Sequence, residues 1–130
     1  MTYRGWAILV SAAVLAGCTP TASRHIPLLP PSADASHVAA CAERTVAHLA
    51  RQDNRWDARV THRDRATGVL ETGDFKSWNA TGFRIRVVPD LDRREATLHL
   101  KGAGAYFTDL GVDAAADRFV AAFSQCLPAP

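Results

Sequence analysis

Histidine, serine, aspartate and arginine are the side chains in this chain whose types invite chemistry, and their spacing limits how far that goes. The five histidines, His25, His37, His48, His62 and His99, show neither HxH nor HxxxH spacing, so no two share one strand or helix face to grip a metal. No GxSxG surrounds any serine, which leaves no sharp turn to expose a nucleophile. His62-Arg63-Asp64 matches the opening of a kinase catalytic loop, but no other kinase element accompanies it. Asp90 and Asp92 flank a turn that lacks the further oxygen ligands and glycine of a calcium loop. Gly102-Ala103-Gly104 lacks the third glycine and the strand-helix-strand setting of a dinucleotide site. The pattern predicts a protein that is not an enzyme and uses no cofactor or metal.

Binding chemistry has more to work with. All but two of the 15 basic residues are arginine, the exceptions being Lys76 and Lys101. Five arginines between Arg51 and Arg65 are offset by Asp53, Asp57 and Asp64, so that stretch reads as a solvated face laced with ion pairs. A second set, Arg84, Arg86, His99 and Lys101 with Thr97, falls on alternating positions and forms a candidate binding surface. Trp78, Tyr106 and Phe107, beside glycine-containing loops, extend that candidate surface or close the end of a small core. With 15 basic residues against 13 acidic ones and 48% hydrophobic content, the chain is too balanced for a dedicated nucleic-acid binder and too apolar to be disordered. At 130 residues it has room for one domain.

The N-terminus carries a more specific signal. Arg4 precedes an apolar run from Trp6 to Ala16, broken only by Ser11, and the tetrad Leu15-Ala16-Gly17-Cys18 closes it. That run of about 11 residues is too short for a bilayer span, which needs roughly 20. It reads as a signal peptide. The tetrad resembles the lipobox of bacterial lipoproteins, in which small residues precede a cysteine that is diacylglycerol-modified, becomes the first residue after cleavage and is then N-acylated. The resemblance implies removal of residues 1–17, a lipid anchor on Cys18, and attachment to a membrane through acyl chains with no spanning helix. Thr19 stands where an Asp would favour retention in the inner membrane. The resemblance thus implies the outer membrane, facing the periplasm.

Four prolines in 16 residues, Pro20, Pro27, Pro30 and Pro31, predict that 18–34 is a lipidated cysteine followed by an extended tether, with Ile26, Leu28 and Leu29 as its apolar exceptions. With Cys18 assigned to lipid, Cys41 and Cys126 are the thiols left in an oxidising compartment, and they are expected to pair.

Residues 35–130 are expected to form a small α+β domain. Val38, Ala42, Thr45, Val46 and Leu49 recur at helical spacing after the capping candidates Asp34 and Ser36, giving a helix to about Asn54. The stretch 55–63 fits a half-buried strand with Trp56, Ala58, Val60 and His62 inward, or a continuation of the helix; the strand is favoured because one helix to Arg63 would be unusually long. Val69 to Trp78 is a poorly alternating strand candidate broken by Gly73. Phe83, Ile85 and Val87, then Ala96, Leu98 and Leu100, alternate with polar residues about a turn at 90–94 and predict a hairpin. A final helix, 114–127, capped by Asp113, carries Ala116, Phe119, Val120, Phe123 and Leu127 on one face. The sum is an antiparallel sheet of three to four strands with the N-terminal and C-terminal helices on one face, joined by the Cys41–Cys126 disulfide. Three functions fit this build: an accessory or protein-binding subunit of an envelope assembly, an inhibitor or immunity protein using the loop Gly102 to Asp109, and a binder of anionic envelope polymer.

Overall fold

A computed structural model of the chain describes residues 19–77, 82–102 and 111–128. The elements are β1 (Thr21–Pro27), α1 (Ala35–Gln52), β2 (Val60–Arg63), β3 (Leu70–Thr72), β4 (Arg84–Asp90), β5 (Glu95–Lys101) and α2 (Val112–Cys126). The five strands form one antiparallel sheet in the order β1-β5-β4-β3-β2. The architecture is the expected α+β arrangement, with one strand more than the three to four anticipated.

The extra strand comes from the segment expected to be a tether. Ala22 and Ile26 point inward from β1 and are buried, and Leu28 just beyond is fully buried, whereas Leu29 is 64% exposed. The prolines do not prevent this because they fall at the strand's margins: Pro20 precedes β1, Pro27 ends it, and Pro30 and Pro31 lie in the connection to α1. An arginine clamps that connection. Arg94, in the β4–β5 turn with φ of 53°, donates to the carbonyl oxygens of Ala33 and Pro30 at 3.0 Å each and of Leu28 at 3.4 Å.

The β4–β5 hairpin pairs in the register that alternation predicts, Val87 against Leu98 and Ile85 against Leu100. Ala22, Ile26, Leu70, Ile85, Val87, Leu98 and Leu100 share one face of the sheet, and both helices cover it in a single core with Val38, Val46, Phe119 and Phe123. Phe119 stacks on Phe123 with ring centroids 5.6 Å apart and lies 6.4 Å from Trp56.

The helix termini follow local rules with one departure. Asp34 caps α1, its Oδ1 accepting from His37 N at 2.8 Å. The second helix begins at Val112 with Gly111 at its cap in the left-handed region (φ 68°), so Asp113 stands in the first turn instead of capping. There its carboxylate meets the helix N-terminus and, with Asp117, the Arg24 guanidinium at 3.2 and 3.0 Å. The stretch 55–63 is not a helix continuation. Trp56 makes an isolated parallel bridge to Phe83, and only Val60–Arg63 forms a strand, with a register shift between Val60 and His62 that leaves His62 exposed.

Cys41 and Cys126 are joined by a disulfide across α1 and α2, with Cα atoms 5.7 Å apart. His37 Nε2 lies 2.8 Å from Leu127 O, and Arg44 Nη2 lies 3.5 Å from Cys41 Sγ and 3.4 Å from Cys126 Sγ, donating toward both. The ends of the two helices are thereby tied together where α2 finishes.

Candidate binding face

Because both helices pack on one side, the alternation of the strands leaves a second sheet face without a helix. Registers align five positions across it, one per strand: His62, Glu71, Arg86, His99 and Ser23. Glu71 is buried and Arg86 and His99 are half-buried, although no helix among the described residues lies over them. Burial without a regular covering element is unusual for charged side chains.

The cover is a short loop. After β3 the chain passes through Gly73 and Asp74, both with positive φ (62° and 51°), and brings the buried Phe75 against the open face. Lys101 Nζ stands 4.4 Å from the Phe75 ring centroid and donates to Phe75 O at 2.8 Å. A side chain at position 73 is excluded by both conformation and space, since a Cβ there would approach Arg84 Cγ and Asp57 Oδ2 to 2.6 Å.

This loop corrects the reading of Arg84. Alternation placed it on a solvated face, and it does project to the side away from the helices. The 73–77 loop closes over it, however, leaving 1% of the residue exposed, and its Nη1 donates to Asp74 O at 3.1 Å and to Ser77 O. Burial pushes its pKa down, partly countered by Asp57 and Asp74. Arg84 is a buried strut and offers no cation to a ligand.

Arg86 and His99 remain accessible at the middle of the sheet. Arg86 Nε is buried and finds no acceptor among the described residues. His99 Nδ1 lies 3.3 Å from Ser23 Oγ on β1, and its pKa is lowered first by burial, then by the charge of Arg86 and by His25. The imidazole is therefore neutral at neutral pH. On the same face His25 Nδ1 lies 3.3 Å from Thr97 Oγ1 and 4.0 Å from Glu95 Oε1. Phe75 divides the face into two shallow clefts. One of about 250 Å³ lies among Ser23, Arg86, His99 and Lys101, and one of about 220 Å³ among His62, Glu71, Asp74 and Lys76.

The structure thus brings together Arg86, His99 and Lys101 from the sequence-predicted surface, removes Arg84 from it, and adds Ser23, His25, Glu71 and Phe75. Trp78, Tyr106, Phe107 and the lipobox cysteine Cys18 lie outside the described residues, as does all but Gly102 of the loop Gly102 to Asp109. Ser23 and His25 were legible in principle: Ala22, Arg24 and Ile26 alternate with Thr21, Ser23 and His25, a strand signal that the surrounding prolines masked. Among the described residues no three His, Cys, Asp or Glu side chains converge in a way that could hold a metal ion, and no helix is long and apolar enough to cross a membrane. No family model matches the chain, and no curated protein or solved structure matches it either.

Proposed function

We propose that this chain is a lipid-anchored protein of the bacterial envelope, attached through Cys18 to the outer membrane on its periplasmic side, that acts without catalysis as an accessory subunit by receiving a protein partner on the open face of its sheet. The observation that carries the reading is the row of buried Glu71 and half-buried Arg86 and His99 on a sheet face that no helix covers among the described residues. Arg86 Nε is buried without an acceptor among the described residues, as are Trp56 Nε1, Arg84 Nε and Arg94 Nε, so what sets the row apart is its place on the open face beside two clefts. The disulfide between α1 and α2 is compatible with the oxidising compartment that the lipobox implies.

The sign pattern favours a protein over an anionic polymer as the partner. Glu71, Glu95 and Asp90 alternate on this face with the cations Arg86 and Lys101 around the neutral His99, a mixture that complements another protein's mixed surface and repels a polyanion at its acidic positions. A photo-crosslinking residue placed at Val88 or Thr97, on the open face, is expected to capture one stoichiometric envelope protein in living cells. The same residue at Ala40, on the exposed side of α1, captures none, and Arg86→Glu abolishes the capture from Val88. Equal capture from Ala40 and Val88, or indifference to Arg86→Glu, would reject the open face as the docking surface.

A further inference from the structure

We infer that the cleft lined by Ser23, Phe75, Arg86, His99 and Lys101 is a carboxylate site, and that the protein partner proposed for the open face anchors in it through one acidic side chain. The inference rests on that docking and names the group that fills the cleft. Its basis is the state of Arg86. Of the described arginines withdrawn from solvent, Arg24 pairs with Asp113 and Asp117, Arg84 donates to the carbonyl oxygens of Asp74 and Ser77, and Arg94 donates to those of Ala33 and Pro30. Arg86 alone among them makes no hydrogen bond and no ion pair with the described residues. Glu71 is its register neighbour on β3, yet no ion pair joins the two, and Glu71 lines the other cleft, across Phe75. A half-buried guanidinium in this state has lost part of its water without gaining an acceptor, so an incoming oxyanion meets a donor already partly desolvated.

The surroundings decide which anion fits. Lys101 lines the same cleft; its Nζ donates to Phe75 O at 2.8 Å, and the remaining ammonium protons can turn to a ligand. Ser23 adds a hydroxyl, 3.3 Å from His99 Nδ1. No carboxylate lines this cleft among the described residues. The planar guanidinium fork matches a planar carboxylate through two parallel N–H···O bonds. A phosphate is instead cradled by a helix N-terminus or a nest of backbone amides, and here Arg86, His99 and Lys101 lie within the paired strands β4 and β5. At about 250 Å³ the cleft is also smaller than the roughly 300 to 1,000 Å³ of small-molecule sites, which suits one side chain delivered by a protein surface. The Phe75 ring supplies an apolar wall for the methylenes that carry the carboxylate.

The test uses the full chain, isotopically labelled for NMR in detergent micelles, and titrates it at constant ionic strength. Propionate, the end group of a glutamate side chain, is expected to shift the Arg86 Nε–H resonance and the amides of Ser23 and His99 saturably. Propionamide, its neutral counterpart of the same shape, is expected to shift none of them. Arg86→Lys keeps a cation but loses the fork, and is expected to weaken propionate about tenfold as read at Ser23 and His99, with Lys101→Gln weakening it less. Retained dispersion of the backbone spectrum verifies the fold of each variant. Equal responses to propionate and propionamide, or unaltered affinity in Arg86→Lys, would overturn the carboxylate site. Tighter binding of inorganic phosphate than of propionate would overturn it too, in favour of a phosphoryl ligand. The docking fails separately: propionate binding as expected with no protein captured from Val88 or Thr97 overturns the docking and leaves the site. Capture that persists undiminished in Arg86→Gln, which removes the charge without adding a repulsive one, overturns the acidic anchor and leaves the docking.

Discussion

The two faces of the sheet bury their side chains by different means. On the covered face, Ile26, Val87 and Leu98 meet the apolar sides of α1 and α2, and the order of the strands lays a continuous core beneath two helices tied by the Cys41–Cys126 disulfide. On the open face, Glu71, Arg84, Arg86 and His99 are withdrawn from water by a loop of five residues and by one another. Burial of the first kind is favourable at roughly 25 cal/mol per Å² and non-directional, whereas burial of the second kind is favourable only where each polar atom finds a partner. Fold stability should therefore reside in the covered face, and adjustability in the open one.

Removal of the staple is the largest expected breach of that division. The double variant Cys41→Ser, Cys126→Ser frees a loop of 85 residues, for which the chain-entropy relation gives a loss of about 4 to 5 kcal/mol. Denaturant titration with and without reductant checks this, and a midpoint indifferent to reductant would show that α1 and α2 hold together by packing alone.

A smaller effect decides whether β1 belongs to the domain. Ile26 is fully buried from an edge strand, and Ile26→Ala is expected to cost about 2 to 4 kcal/mol, as for other large-to-small core substitutions. A loss below about 0.5 kcal/mol, the range of surface substitutions, would return this segment to the status of a tether. The control is Leu29→Ala three residues on, at an exposed site, which should change little.

How much of this the sequence disclosed follows the same division. The hairpin of β4 and β5, the inward stripe of α1 and the pairing of Cys41 with Cys126 were legible because each is a periodic or combinatorial signal carried by the residues themselves. β1 was hidden because prolines at 20, 27, 30 and 31 look alike in a composition count whether they interrupt a strand or bound it; only the partner strand β5, distant in sequence, distinguishes the two. The burial of Arg84 was hidden for a related reason. Alternation reports which face a side chain leaves from, and a loop with two consecutive positive-φ residues decides whether that face meets water. The inclusion of Glu71 and Phe75 depends on that same loop, so the open face was the less legible of the two.

The smallest expected effect probes the open face by pH. Burial lowers the pKa of His99 below its ordinary value near 6.5, so the unfolded chain binds the proton more readily than the folded one. The sign follows from linkage: where the unfolded state holds more protons, stability rises with pH, and the loss begins as pH falls through the unfolded value toward the lower folded one. Between pH 7.5 and 5 the wild-type midpoint should therefore fall, and His99→Gln, which keeps a polar group near Ser23 Oγ without a titrating ring, should remove this residue's share of the fall. The same series distinguishes the faces, because Ile26→Ala lowers the midpoint equally at both pH values while His99→Gln changes the difference between them. An unaltered slope in His99→Gln would mean that Arg86 and His25 do not oppose protonation of this ring and that the open face is wetter than its geometry implies. A docked partner that covers the face deepens the burial, so the acid-side fall should steepen in the complex of the wild type and stay flat in that of the variant.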